Sequence, residues 1–420
     1  MSPICKAEHI GVGTEILLGQ IANSHARTIS QELAAHGFYM YYHTAVGDNM
    51  ERIGSVLQSA IARSNVVIFT GGLGPTQDDL TRESVAKFVH RKLTFREDAW
   101  GTVERYFHRR RRPIPERNRQ QAMVIEGGEW LENPNGTAPG QYVGVNGIHY
   151  FLLPGPPLEM IPMLKNKVIP KLQRLFPLDM ALESRVLHLC GIGESDVDAQ
   201  IPELLTGRNP TVAPLAGEGE MLLRVTASGH DVNAAKKLIY PVEQRLRSLF
   251  GSYIYGTDED TLAKVVGQRL LGNGASLAVA ESCTGGLVST MITSIPGSSA
   301  YYLGGVVSYA DAIKMAVLQV TSKSLNQWGA VSEQVALEMA RGVRKLTGSN
   351  YGIAITGIAG PSGGTVDKPV GLVWFAISGF AGDKAFSGVW SGSREQIRIR
   401  AAKYLLWRLW SQLEMETSGA

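Results

Sequence analysis

Short apolar runs alternate with amphipathic stretches along most of the chain. Ile53, Val56, Leu57, Ala60 and Ile61 fall at i, i+3, i+4, i+7 and i+8, which is the helical period. A second helix is predicted over about 21–36, with Ile29 and Leu33 on its inner face and Gly37 placed to end it. The runs at 66–69 and 148–153 read as buried strands, as do 39–42 and a segment ending near Val12. Two of these strands end in special turns, Thr70-Gly71-Gly72-Leu73-Gly74-Pro75 and Pro154-Gly155-Pro156-Pro157. This alternation predicts a mostly parallel sheet covered by helices. In such sheets ligands gather at the loops beyond the strand C-termini, where these turns lie.

The pattern changes twice. Over 177–256, strand-like pieces at 185–189 and 221–227 flank helix-like pieces at 196–205 and 232–250. That reads as a small α+β linker or docking domain without a catalytic-looking cluster. From 257 to 420 the α/β alternation returns. Leu262, Val265, Val266 and Leu270 mark a helix, followed by a strand at 276–280 and a helical run from Leu287. Strands are predicted at 306–309, 351–356 and 372–377, and a last helix over about 394–413. Ser332 is placed as an N-cap, with Val335, Met339 and Val343 on one helix face. The fold class expected is α/β: a parallel-sheet first domain (1–176), the small α+β domain (177–256) and an α/β third domain (257–420).

Bulk composition narrows the function classes. At 420 residues the chain is too long for one ordinary core. A 44% hydrophobic and 19% charged composition argues for a folded chain rather than a disordered one. The net charge of +3 gives no argument for nucleic-acid or membrane binding. The run His108-Arg109-Arg110-Arg111-Arg112 is short and reads as a solvated patch. Cys5, Cys190 and Cys283 lie far apart, with no CxxC or CxxH pair, so neither a disulfide framework nor a structural zinc site is suggested. No apolar run approaches the roughly 20 residues of a membrane span, and the N-terminus lacks a long apolar h-region. A cytoplasmic location is expected.

The most informative stretch is Ala280-Glu281-Ser282-Cys283-Thr284-Gly285-Gly286. It puts a hydroxyl at a strand-to-helix corner followed by two glycines. Such a corner suits a nucleophile, because access is open and helix N-terminal N–H groups are unpaired. A helix N-cap is the plain alternative for Ser282. Cys283 is the rival nucleophile, or a small buried apolar residue. The third domain contains no histidine, so a Ser-His-Asp triad cannot be built within it. A lysine base is the option that remains, and Lys314 follows the 306–309 strand near the ligand face. An ordinary solvated helix lysine is its plain reading. Tyr309 is placed to relay a proton or fix the lysine, or else to fill the core. The loop Thr356-Gly357-Ile358-Ala359-Gly360-Pro361-Ser362-Gly363-Gly364 offers backbone donors to a phosphate or carboxylate. Arg394, Arg398 and Arg400 add cationic charge near the last helix, or form its solvated face. In the first domain, Gly71, Gly72, Gly74 and Thr76 stand beside Asp78 and Asp79, an arrangement suited to phosphate with a divalent cation. The alternative is that the two acids cap the following helix.

These residues together resemble the CinA family, the competence/damage-inducible proteins. The first domain is similar to its molybdopterin-binding-like domain through Gly13-Thr14-Glu15-Ile16-Leu17-Leu18-Gly19-Gln20-Ile21, Gly47-Asp48-Asn49, 71–79, Asn133-Pro134-Asn135-Gly136-Thr137-Ala138-Pro139-Gly140 and 154–157. The third resembles the family's nicotinamide-nucleotide amidase domain through 280–286, Pro296-Gly297-Ser298-Ser299, Ser308-Tyr309 with Lys314, Gly329-Ala330-Val331-Ser332, 356–361 and Lys368-Pro369-Val370-Gly371. The resemblance covers nearly the whole chain.

The resemblance implies hydrolysis of the carboxamide of nicotinamide mononucleotide to nicotinate mononucleotide and ammonia, in pyridine-nucleotide salvage. By the matching motifs Ser282 is the nucleophile, Lys314 its base and Tyr309 an assistant. Thr284, Gly285, Gly286, Thr356, Gly357, Gly360 and Arg394 are the expected substrate-binding residues. Amides near Thr284 and Gly285 are expected to hold the oxyanion. No cofactor is expected for this reaction. The resemblance also implies a possible second activity, ADP-ribose hydrolysis by the first domain with a divalent metal at Asp78 and Asp79. Gly71, Gly72, Gly74 and Thr76 would then hold its ligand. A homo-oligomer is expected. A non-catalytic binding protein linked to competence is the reading from another class. The chain departs from the pattern at Asn23-Ser24-His25, where many relatives read Asp- or Asn-Thr-Asn. It departs again at Asp311, where relatives often have Asn, at Ser393, which replaces a common acid, and at Leu372, which replaces a common Thr.

Overall fold

The computed structural model describes residues 4–177 and 180–418. They form two compact units: residues up to Glu183 with Gly229–Val232, and Ser184–Ser228 with those from Asn233 on.

The first unit is built on a six-stranded sheet. Its spatial order is Tyr39–Val46, Lys6–Val12, Val66–Thr70, Ile148–Leu153, Gly140–Val145, Glu129–Leu131. The first four strands pair in parallel, and the last two run antiparallel. The reversal comes from Asn146-Gly147, with φ of 52° and 79°. Positive φ at both central residues is what a tight primed hairpin turn requires. Because side chains alternate across a strand, the two faces carry separate cores. Ala7, Val66 and Ile68 pack with Ile29 and Leu33. Ile10, Val12, Val67 and Phe69 pack with Ile53 and Leu57 on the other face.

Two asparagines set the covering helices. Asn23 Oδ1 accepts from the Ala26 amide at 3.2 Å, so that helix runs Ser24–Ala35 and starts later than the 21 expected from the pattern. Asn49 Oδ1 takes the Glu51 and Arg52 amides at 3.1 and 3.0 Å and starts Met50–Ile61. Each such cap is worth about 1 kcal/mol.

A four-stranded sheet, all but a few residues of it in the second unit, has the order Thr211–Gly217, Glu220–Gly229, Ala181–Leu189, Ile254–Thr257. It packs against Val232–Phe250 through Ala235, Ile239, Leu246 and Phe250. The single helix expected at 196–205 is two short ones, Glu194–Asp198 and Pro202–Leu205. Pro202 opens the second, where its missing N–H costs nothing.

The remaining sheet has the order Tyr302–Val307, Leu277–Glu281, Tyr351–Gly357, Leu372–Gly379, Gly382–Val389. The first three strands are parallel, and the other two pair antiparallel. The strand expected at 306–309 ends at Val307, leaving Ser308 and Tyr309 in the following loop. One face packs on Leu262–Gly272 and Arg394–Ser418, the other on Glu333–Thr347. Ser332 caps this last helix onto the Val335 amide at 3.4 Å. Leu277–Glu281 thus runs between two parallel neighbours, and all three strand ends open on one edge.

Candidate active site

The register fixes the corner. Glu281 pairs with Val307 on one side and Ile355 on the other. The next residues on the three strands are Ser282, Ser308 and Thr356. The Ser282 amide donates to the Ile355 carbonyl at 3.0 Å, and the Ser308 amide to the Glu281 carbonyl at 2.8 Å. Ser282 is therefore held by its neighbours on both sides and is only 8% exposed.

Glu281, which sequence reasoning missed, organises the turn. Its fully buried carboxylate accepts from the Gly286, Val288 and Ser289 amides at 2.9, 3.1 and 2.8 Å, and from the Ser289 hydroxyl at 2.7 Å. It sits where the start of Leu287–Thr293 exposes its N–H groups, which favour a negative charge. Gly285 and Gly286, with φ of 60° and 97°, bend the chain back to let this happen. The clue in the sequence is an acid ending an otherwise apolar strand.

That arrangement corrects one expectation. The Gly285 amide is not free for an oxyanion, because it donates to the Ser282 carbonyl at 3.0 Å. Among the described residues, the Thr284 amide is the one of that expected pair that takes no protein acceptor. Thr284 itself is fully buried, its hydroxyl is without a partner, and its carbonyl accepts from Arg398 at 2.6 Å.

Lys314 lies on Asp311–Leu318 and is 1% exposed. Its Nζ donates to the Ser308 and Tyr309 carbonyls at 2.9 and 3.2 Å and stands 3.3 Å from Asp311 Oδ1. Three acceptors match the three N–H donors of an ammonium. The lysine is thus tied to the residue beside Ser282 in the register, and its hydrogen bonds go to that loop rather than to the serine hydroxyl. Tyr309 is 61% exposed, not a core residue. Its hydroxyl accepts from Arg394 Nη2 at 2.9 Å, while Arg394 Nη1 donates to the Gly360 carbonyl at 2.7 Å. One guanidinium therefore clamps the Tyr309 loop to the 356–364 loop. Gly360 has φ of 74°, and a side chain there would meet Val370 at 2.6 Å. Gly357 is similarly enclosed, with an added Cβ 2.7 Å from Val373. The Thr356 hydroxyl donates to the Ala330 carbonyl at 2.8 Å, so it anchors the loop. Arg400 bonds the Ser391 carbonyl at 2.7 Å, outside this cluster. Burial pushes the Cys283 thiol up to about 12, which leaves it a packed apolar side chain.

In the first unit the glycine turn is equally tight. An added Cβ would lie 2.2 Å from the Val12 carbonyl oxygen at Gly71 and 2.3 Å from Thr81 Oγ1 at Gly72. Thr81 Oγ1 donates to the Gly71 carbonyl at 2.8 Å. Asp79 Oδ2 accepts from the Thr76 amide at 2.8 Å and the Thr76 hydroxyl at 2.5 Å, and Gly74 packs against that carboxylate. Asp79 closes the turn 76–79. Neither acid caps the next helix, Thr81–Phe88, whose N-cap is Leu80 without a side-chain bond. The Thr76 side chain draws Asp78 below the ordinary carboxylate range. Among the described residues no group of three or more His, Cys, Asp or Glu side chains is placed to hold a metal ion. A divalent cation at Asp78 would have to take its other oxygens from water and phosphate. Sequence reasoning gave no role to three histidines nearby: His43 meets His9, and His9 and His25 meet at Thr70. For His9 and His43, on adjacent strands, alternation across the sheet is the available signal, whereas His25 lies on the helix Ser24–Ala35.

Fold and site define a multidomain α/β protein with a serine–lysine corner at the end of a central parallel strand and a glycine turn at the end of another. The profile of the CinA C-terminal domain matches residues 259–413, that of a probable molybdopterin binding domain 8–174, and that of the damage-inducible protein CinA KH domain 184–256. A Moorella thermoacetica protein bearing the competence-damage inducible name is 46% identical over 96% of this chain and 98% of its own. A CinA-like protein of Dictyoglomus turgidum is 43% identical over 94% and 96%. The chain belongs to the CinA family. A solved CinA superfamily structure from Klebsiella pneumoniae is 34% identical, covers 37% of this chain and 96% of that one, and has a TM-score of 0.36. No helix among the described residues is long and apolar enough to cross a membrane.

Proposed function

We propose that the second unit hydrolyses the carboxamide of nicotinamide mononucleotide, with Ser282 as nucleophile and Lys314 as its base. The observation that carries this reading is the register. It sets Ser282 beside Ser308, whose carbonyl holds Lys314 Nζ at 2.9 Å, in a domain without histidine. Ser282 Oγ attacks the carboxamide carbon, and its proton passes to Lys314 once the lysine carries a free electron pair. The C–N bond then breaks, and ammonia leaves with that proton. Water cleaves the acyl-enzyme by the reverse route. The Thr284 amide is the donor available to the developing oxyanion. Arg394 holds the Tyr309 and Gly360 loops around the substrate and supports its phosphate. Family membership and the missing histidine support this reading; the particular substrate rests on resemblance.

The test is ammonia release from nicotinamide mononucleotide by the wild type, Ser282→Ala and Lys314→Met. Both variants should lose at least a thousandfold in kcat. Full activity in Ser282→Ala would remove the serine from the mechanism. Binding without turnover in the wild type would favour a non-catalytic competence-associated role instead.

A second reading concerns the first unit: hydrolysis of a phosphate anhydride, with ADP-ribose as the implied substrate. It is favoured by His25, which lies between Thr70 and the Gly155 backbone at the two glycine turns. Metal-dependent release of AMP, lost in Asp78→Asn, would support it.

A further inference from the structure

Three of the nine histidines in the chain meet in one hydrogen-bonded chain inside the first unit. His9 and His43 are register partners on adjacent parallel strands, and Thr70 lies on the strand at the other side of His9. Alternation puts all three on the face covered by Ser24–Ala35, which carries Ser30 and His25. Ser30 Oγ lies 2.9 Å from His43 Nε2, and His43 Nδ1 3.3 Å from His9 Nδ1. His9 Nε2 lies 2.9 Å from Thr70 Oγ1, and Thr70 Oγ1 3.2 Å from His25 Nδ1. His9 and Thr70 are 0% and 1% exposed. His43 at the sheet edge is exposed, and His25 is half-buried. A buried pair therefore bridges two accessible imidazoles.

Every link can be satisfied in either direction. In one polarity Ser30 donates to His43, His43 to His9, His9 to Thr70 and Thr70 to His25. In the other each donor becomes the acceptor. A chain with two complete polarities conducts a proton by switching between them. A hydrogen-bonded structural cluster, by contrast, needs only one.

The far end opens where a ligand would sit. Gly155 lies against Gly71, its added Cβ 3.7 Å from the Gly71 Cα. The Gly155 backbone lies close enough to the His25 ring to act on its titration. Among the described residues the amides of Gly72, Leu73 and Gly74 take no protein acceptor. Free backbone N–H groups in a glycine turn suit phosphate oxygens.

We propose that Ser30, His43, His9, Thr70 and His25 form a proton relay that makes His25 the acid–base group of a site for phosphate esters or anhydrides. This rests on the second reading above for the ligand, not for the relay. When His25 gives its Nε2 proton to a leaving oxygen, its Nδ1 takes the Thr70 proton. Thr70 takes the proton from His9 Nε2, His9 Nδ1 takes it from His43 Nδ1, and His43 Nε2 is refilled from Ser30 or water. One proton crosses, and no net charge is left inside.

The electrostatics favour neutral rings in the chain. Burial, with the neighbouring His43 and His25, draws His9 down to about 3. Burial lowers His25, against the Gly155 backbone, and lowers His43, against the Glu8 carboxylate. Glu8 lies on the opposite strand face and is bound by Arg63 at 2.7 and 2.9 Å, Ser64 at 3.3 Å and Thr44 at 2.9 Å. It does not break the relay. Just after the 154–157 turn, Glu159 accepts from Asn133 at 2.6 Å.

The experiment is histidine nitrogen NMR on the full-length ¹⁵N-labelled chain, titrated with inorganic pyrophosphate. The expected result is that His25 signals move and that His43, at the other end, exchanges its protonated and bare nitrogens with them. Thr70→Ser should keep this coupling, and Thr70→Val should abolish it while His25 still responds. A wild type in which His25 responds and His43 does not overturns the relay. A wild type in which neither responds overturns the phosphate site on which the role of His25 depends. Both outcomes are read on the wild type and hold even if a variant fails to fold.

Discussion

Asp311 Oδ1 lies 3.3 Å from Lys314 Nζ, one helical turn along Asp311–Leu318, with the carboxylate side chain 55% exposed and the lysine buried. In the proposed reaction this lysine accepts the proton of Ser282, and all three of its N–H donors are already committed to acceptors. A carboxylate at 311 makes a stronger, charge-assisted hydrogen bond to the lysine ammonium than a carboxamide would.

Asp311→Asn is therefore expected to raise the rate of ammonia release at pH 7. Pairs with an exposed partner are worth up to about 1 kcal/mol, so the gain should be no more than about fivefold. Asp311→Ala should behave similarly if only the charge matters. A fall in kcat in both variants would show that Asp311 positions the lysine and does not merely restrain it.

Cys283 adjoins the proposed nucleophile yet should be chemically silent. With its thiol pushed up to about 12 by burial, only about one molecule in ten thousand carries a thiolate at pH 8. Iodoacetamide at that pH should leave Cys283 unmodified in the folded chain, as read by peptide mass. Cys283→Ala should keep activity within about threefold and cost about 1 kcal/mol of stability from lost packing. Rapid alkylation with loss of activity would contradict the buried thiol.

Much of this arrangement is legible in the sequence because it depends on local periodicity. Helix Met50–Ile61 follows from five apolar positions at the helical period, and strand Ile148–Leu153 from a mostly apolar run broken only by His149. The corner at Ser282 can be read from a strand, a hydroxyl and two glycines in succession. The absence of histidine from that domain points to lysine without any knowledge of the fold. The hairpin at Asn146-Gly147 carries a strong local turn signal, but the surrounding β-α-β alternation favours parallel strands throughout and hides it. Side-chain commitments are not legible. Nothing in the order of residues says that Glu281 takes up the Gly286 amide, that Thr76 takes Asp79, or that Arg394 clamps Tyr309 to Gly360. The first two close within single turns, and the third reaches across loops whose positions are set by sheet register. The histidine chain is hidden for the same reason. His9, His25 and His43 are far apart in sequence, and only the pairing of three strands with one helix brings them together.

His9 makes the stability of the first unit sensitive to acid. Its folded value near 3 lies below the ordinary 6.5 of an unfolded histidine. Between those values the unfolded chain binds the extra proton, so stability is complete above pH 6.5 and falls as pH drops toward 3. The slope approaches about 1.4 kcal/mol per pH unit. Urea unfolding of the wild type at pH 7.5 and pH 5 should show this loss. His9→Gln, which removes the titration, should lower stability at pH 7.5 but shrink the difference between the two pH values by about 1–2 kcal/mol. An unchanged difference would mean that His9 is protonated in the folded state.

Glu281→Gln tests whether the buried carboxylate sets the corner. Four donors converge on its two oxygens. A carboxamide keeps one acceptor oxygen and turns an NH₂ toward N–H groups that are already donors. Leaving buried donors unpaired costs about 1–3 kcal/mol each in the unrelaxed limit, so a loss of about 3 kcal/mol is expected. That should lower the thermal midpoint by roughly 6–12 °C for a domain of this size. The Gly285-Gly286 turn would also lose the anchor that aims Ser282. Ammonia release should therefore fall at least tenfold, even at temperatures where the variant is fully folded by circular dichroism. Glu281→Asp retains the charge but withdraws it by one methylene, and it should recover part of the stability and less of the activity. If Glu281→Gln keeps wild-type kcat while losing stability, the carboxylate holds the helix together but does not position the nucleophile.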